Sequence, residues 1–205
     1  MAYIDSMYDV MEMETGMLKY VMNYVKEHCP EEVAMLNVEI PEIKEIPTIR
    51  FHEAKQIMEE KYGHKSKNRY DLNPDEEVLL CQWAREEHDS DFVFVTHFPS
   101  AKRPFYAMDD PEDPKLALSF DLLFRGLEIT TGGQRIHDYQ EQMDKLAARK
   151  MNAELFESFT MLHKYGMPPH GGLGIGLERL TMQLLKLNNV RDASMFPRDM
   201  NRLEP

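Results

Sequence analysis

Two short stretches hold the side chains whose types and spacing could do chemistry. The first is Phe124–Asp138, where an apolar run suddenly carries Glu128, Thr131, Gln134 and Arg135 around Gly132 and Gly133. A carboxylate and a hydroxyl three residues apart are close enough to share one hard cation. Mg²⁺ suits such a site, because it takes one or two carboxylates and completes its shell with water and phosphate oxygens. Arg135 could hold a small carboxylate in a two-pronged grip. The plainer reading is a surface hairpin with ordinary charges.

The second stretch is His170–Leu185, where Gly172, Gly174 and Gly176 alternate with Leu173 and Ile175. A period of two predicts a strand with one face of bare backbone, where a ligand can approach closely. Leu177, Leu180, Thr181, Leu184 and Leu185 then recur at helical spacing, so a helix begins near Gly176. Arg179 leaves its first turn, and a permanent planar cation over bare backbone suits a polyphosphate or a flat ring. Here too a plainer reading exists: a Gly-rich turn before a core helix, with Glu178 and Arg179 in solvent. The spacing matches neither G-x-G-x-x-G nor the phosphate loop G-x-x-x-x-G-K-[ST].

These residues need a scaffold, and the rest of the chain supplies its elements. Residues 1–28 predict a long amphipathic helix with Ser6 as N-cap and a stripe of Met7, Val10, Met11, Met17, Leu18, Val21, Met22 and Val25. Pro30, Pro41 and Pro47 mark a connector. From about 30 to 91 a mostly helical, acidic insert follows, with one helix from His52 to Tyr62 stopped by Gly63. A basic loop, His64–Arg69, leads to a second helix opened by Asn73, Pro74 and Glu76, expected to bury Val78, Leu79 and Trp83. Residues 92–205 read as the sheet core. Phe92–Val95 and 119–131 supply strands, Phe105 and Tyr106 could begin another, and helices follow at 138–150 and 152–165. The whole predicts an α+β fold, an antiparallel sheet flanked by helices.

Composition narrows the function. With 205 residues and 42% hydrophobic content the chain can bury one sizeable core. A net charge of −12 argues against a basic nucleic-acid footprint over the whole surface, though a local patch is compatible with it. Cys29 and Cys81 form no disulfide framework or metal-ligand spacing, which points to a reduced, cytoplasmic setting. No apolar run reaches transmembrane length, so no membrane partner is expected.

The alternating-glycine strand and its Arg-bearing helix resemble motif 3 of class II aminoacyl-tRNA synthetases. Phe98–Met108, Arg125–His137 and Met195–Asp199 resemble the aspartyl-tRNA synthetases of archaeal and eukaryotic type, with asparaginyl-tRNA synthetases the nearest confusable relatives. The resemblance implies ATP and Mg²⁺ as cofactors, and aspartate and tRNA as partners. It matches Glu128 and Thr131 to the Mg²⁺ site, Arg135 and, beside it, Gln134 to aspartate. Gly172, Gly174, Gly176, Glu128 and Arg179 match the ATP site, with Glu128 and Arg179 catalytic. Nothing matches motif 1 or motif 2, so the chain corresponds to the C-terminal part of the catalytic domain. By itself it is expected to be a poor synthetase, as a homodimer or beside a missing N-terminal half. The alternatives are a pseudo-synthetase that binds ATP or aspartate, and a relative that passes aspartyl adenylate to ammonia.

Overall fold

The computed structural model describes residues 1–204. Helix α1, Met7–His28, starts where expected: the Ser6 hydroxyl accepts from Tyr8 N–H, and the Asp9 carboxylate accepts from the Asp5 and Ser6 N–H groups at 2.7 and 2.9 Å. These bonds satisfy donors that a helix start leaves without partners. A short helix α2, Pro30–Met35, follows. Strand β1, Thr48–Arg50, runs into helix α3, Phe51–Tyr62, which stops at left-handed Gly63 (φ 66°). Helix α4, Pro74–His88, precedes strands β2 (Phe92–Thr96), β3 (Ser119–Phe124) and β4 (Leu127–Arg135). Helices α5 (Tyr139–Ala148) and α6 (Glu157–Gly166), strand β5 (His170–Ile175) and helix α7 (Leu177–Leu184) complete the chain's main elements.

The five strands form one sheet in the order β1-β2-β3-β4-β5. Pairing is antiparallel from β2 to β5, as expected, and parallel at the β1 edge. The continuous apolar run Phe92–Val95 is explained by burial on both faces. Phe92 and Phe94 join Phe120, Leu122, Phe124 and Ile129 beneath α1. Val93, Val95 and Leu123 face α3 and α4, packing on Phe51, Ala54, Met58, Leu80 and Ala84. The segment read as a helical insert thus contributes one strand and covers one face of the sheet.

Three local expectations change. Val78 is exposed and Leu79 and Trp83 are half-buried; Leu80, Cys81 and Ala84 are the buried residues of α4. The apolar stripe is therefore rotated, because the sheet-facing positions follow a spacing of four from Glu76. Phe105 and Tyr106 form no strand: Pro104 precedes them, Ala107 makes only an isolated bridge to Arg135, and the Phe105 ring packs on Phe156 and Phe159. The helix expected at 152–165 begins as a 3₁₀ turn, Ala153–Phe156, before α6. Among the described residues no helix is long and apolar enough to cross a membrane.

Candidate functional site

The two chemical stretches become neighbouring strands. β4 pairs with β5 so that Thr131 lies opposite Gly174, Gly133 opposite Gly172, and Arg135 opposite His170. Paired residues share a face of the sheet, so the polar side chains of one strand stand beside the bare backbone of the other. A Cβ on Gly174 would meet nothing within 4 Å, whereas one on Gly133 would lie 2.7 Å from the Leu118 carbonyl oxygen. Gly174 therefore leaves open space for a ligand, and Gly133 lets β4 and its neighbour approach.

A strand of regular pleat would put Glu128 and Thr131, three residues apart, on opposite faces. The register with β3 shifts between Leu122 and Leu123: Thr130 pairs with Leu122 and Glu128 with Leu123, leaving Ile129 as the extra residue of a β-bulge. Ile129 and Thr130 are both buried, with Ile129 beneath α1. Glu128 and Thr131 emerge together on the other face, where the Thr131 hydroxyl donates to Glu128 Oε1 at 3.0 Å.

Arg179 reaches back from α7 to the same point. Its Nη1 donates to the Glu128 carbonyl oxygen at 2.8 Å and lies 3.4 Å from Glu128 Oε1. Its aliphatic stem packs over Gly176, where a Cβ would lie 3.3 Å from Arg179 Cδ. Both charged groups of this pair are partly exposed, so an incoming ligand can reach them.

Beside this pair opens a cavity of about 290 Å³, lined among others by Arg103, Tyr106, Thr131, Gln134, Arg135 and the backbone at Gly172 and Gly174. Arg135 stacks on the Tyr106 ring at 4.7 Å, and a Cβ on Gly172 would sit 3.7 Å from its Nη2. Gln134 lies opposite Gly171, whose Cβ direction points at Ile4 and at Val10 of α1. The wall Gln134 offers the cavity is accordingly main chain. Glu128, Gly176 and Arg179 lie outside the cavity lining and are joined to it through Thr131.

Three further residues complete the cluster. Arg103 makes a bidentate pair with Asp121 at 2.9 and 2.7 Å and stacks over Phe98 at 3.9 Å. Burial pushes Asp121 above the usual carboxylate range, Arg103 pulls it down, and nearby Glu128 adds to the upward push. Glu77 of α4 accepts the Glu128 backbone N–H at 2.7 Å. Its pKa is raised by burial and by the negative charges of Glu128 and Asp121, against the pull of that hydrogen bond and of Arg179. Asp121, an acid alone in an apolar strand, was the visible signal in the sequence; Glu77 had none.

The described residues contain no group of three or more His, Cys, Asp or Glu that could cage a metal ion. The donor set at the bulge is one carboxylate and one hydroxyl beside open backbone, with Asp121 held by Arg103. That set fits Mg²⁺ carried in with phosphate oxygens and does not fit a structural metal.

The family described as tRNA synthetases class II (D, K and N) matches residues 1–200. The chain belongs to this family. It is 47% identical over 211 residues to the aspartate–tRNA(Asp/Asn) ligase of Deinococcus radiodurans, covering 100% of this chain and 48% of that protein. Its fold matches the aspartyl tRNA synthetase of Entamoeba histolytica with a TM-score of 0.93 and 28% identity, covering all of this chain and 43% of the other. It also matches asparaginyl-tRNA synthetase from Pyrococcus horikoshii complexed with asparaginyl-adenylate, with a TM-score of 0.87, 32% identity, and cover of 100% and 47%. The chain spans about half the length of the relatives it matches.

Proposed function

We propose that this chain forms one half of an aspartate-activating site, binding ATP and aspartate for aspartyl transfer to tRNA. The observation that carries the reading is the convergence of Glu128, Thr131 and Arg179 at one end of a glycine-floored cavity whose other wall is Arg135. Arg135, stiffened on Tyr106, would grip the aspartate side-chain carboxylate, with Gln134 shaping the wall beside it. Gly172 and Gly174 would let the nucleotide lie against backbone, and Gly176 would seat the stem of Arg179. Arg179, released from Glu128, would meet phosphate oxygens.

In the reaction an aspartate carboxylate oxygen bonds to the α-phosphorus of ATP while the bond to the pyrophosphate oxygen breaks. The product is the adenylate, whose aspartyl group then passes to the tRNA 3′ end. Glu128 and Thr131 would hold Mg²⁺, which supplies positive charge to the phosphates when bound. The protein's share is positioning and charge placement, with no covalent intermediate on the chain. The relatives are roughly twice as long as this chain, and catalysis by this chain alone is expected to be weak.

A thermal-melt titration with Mg²⁺-ATP tests the reading. A ligand that binds only the native state adds about 2.7 kcal/mol at a hundredfold excess over Kd, a rise of several degrees for a chain this size. That rise should vanish in Arg179→Ala. A cooperative melt that ATP never moves would overturn the nucleotide assignment.

A further inference from the structure

The basic loop between α3 and α4 takes no part in the site just described, yet it is built with care. Exposure alternates along it: Lys65, Lys67, Arg69 and Tyr70 face solvent, while His64, Ser66 and Asn68 turn inward. The Lys65 side chain is 85% exposed and reaches only Glu59, at 4.0 Å. Lys67 and Arg69 have no ion pair among the described residues. Three cations within five residues repel one another, and the chain as a whole carries −12.

What holds the loop is a buried hub. Lys55 Nζ donates to Ser66 Oγ, the Asp71 carbonyl and Glu76 Oε2 at 2.8, 2.8 and 2.7 Å. Glu76 is wholly buried, and the same oxygen accepts the Asn73 N–H at 2.8 Å. The inward positions are thereby pinned, and the outward cations are presented in advance of any ligand, which lowers the ordering cost of binding. A groove of about 450 Å³ runs alongside, lined among others by Phe51, His52, Glu59, Lys65 and Arg69.

The C-terminal end of the loop is tied to the site through two contacts. Asp71 lies 3.7 Å from Lys102, the residue before the cavity-lining Arg103. Three residues into the helix that follows, Glu77 of α4 holds the Glu128 N–H.

We propose that Lys65, Lys67 and Arg69 form a phosphate-contacting surface for the RNA that delivers its 3′ end to the site, with exposed Tyr70 available to stack on a base. The choice of RNA as the partner rests on the function proposed above. Phosphate contacts by Lys and Arg give affinity that falls with salt, each contributing about 0.7–0.9 to the slope of log K against log salt. Base stacking on an aromatic ring adds to it without sequence preference.

The test is fluorescence anisotropy of an RNA hairpin with a single-stranded 3′ end, titrated with the whole chain across a range of salt. The variant Lys65→Ala/Lys67→Ala/Arg69→Ala is set against Lys26→Ala/Lys44→Ala/Lys164→Ala, which removes the same charge from exposed positions elsewhere. The loop variant should weaken binding at least tenfold at low salt and lower the slope by about two, while the control keeps both near the parent. Equal losses in the two variants would reduce the effect to net charge and overturn the surface. So would no binding by the parent chain, or a polyglutamate peptide held as tightly through the same residues. An ATP-dependent melt run on the same samples separates the two readings. RNA binding through the loop with no ATP response keeps the surface and sinks the nucleotide site; an ATP response with RNA binding indifferent to the loop does the reverse.

Discussion

Glu14 beneath strand β4 and Glu76 at the start of α4 are both fully buried, yet their surroundings move them in opposite directions. Burial raises the pKa of each. At Glu76 it is outweighed by the Lys55 ammonium and the Asn73 N–H, both donating to Oε2, which hold the carboxyl below its usual range. At Glu14 neither the carboxylate oxygens nor the neighbouring Thr130 hydroxyl makes a hydrogen bond, so burial, opposed only weakly by that polar neighbour, pushes the group up to about 7. Full burial alone does not decide what a carboxylate contributes; the partners brought to it do. The loop side of the molecule holds a charged hub, and the face behind the site holds an acid that is half neutral near pH 7.

The two acids therefore respond to pH with opposite sign. Glu76, lowered, adds stability that is present above the ordinary carboxylate pKa and lost as pH falls through its native value. Glu14, raised, adds stability that is full below its ordinary 4.5 and lost as pH climbs through about 7.

The largest loss is expected from Lys55→Met. It strands the Glu76 charge in the interior and should cost about 3–5 kcal/mol in urea unfolding at pH 8; a loss below about 1 kcal/mol would mean the hub carries no real charge. Next comes Glu14→Gln, which removes the titrating group. Raising a pKa by one pH unit is worth about 1.4 kcal/mol, so the parent should lose about 3 kcal/mol of stability through Glu14 between about pH 4.5 and 7.5. The variant should lack that slope. Identical pH profiles for the two proteins would show that Glu14 keeps its ordinary pKa in the folded chain. The smallest effect belongs to Thr130→Val, which should change stability by about 1 kcal/mol or less. Its signature is a rise in the pH at which the Glu14 contribution is lost, read from the same unfolding series, and an unmoved midpoint would exclude the hydroxyl as Glu14's moderating neighbour.

Much of the scaffold was readable from local chemistry. Ser6, Gly63 and the run from Asn73 to Glu76 mark helix ends because caps and left-handed turns are satisfied within a few residues of the chain. The alternation of Gly172 and Gly174 with apolar residues announced β5 and its open face. By contrast, the buried face of α4 was misplaced at Val78 and Trp83, because an acidic helix with apolar residues on several sides has no single stripe until a sheet chooses one. Phe105 and Tyr106 looked like a strand from residue type, but the partners that decided their place, Phe156 and Phe159, lie some fifty residues away.

The site divides along the same line. The residue types suited to a cation, a carboxylate or a polyphosphate, those of Glu128, Thr131, Arg135 and Arg179, and the bare backbone beside them, are properties of the sequence. That they meet is a property of the fold. Glu128 and Thr131 share a face only because β4 takes one residue more than β3 beneath α1, with Ile129 as the surplus. Arg179 meets Glu128, fifty-one positions away, only because β5 docks on β4 in one register. Asp121 becomes half of a buried ion pair only when Arg103 arrives from a loop beyond β2. Local spacing sets what each side chain can do, and pairing across the sheet sets which of them do it together, since a slip of one residue would turn the strand-borne groups among them to the other face.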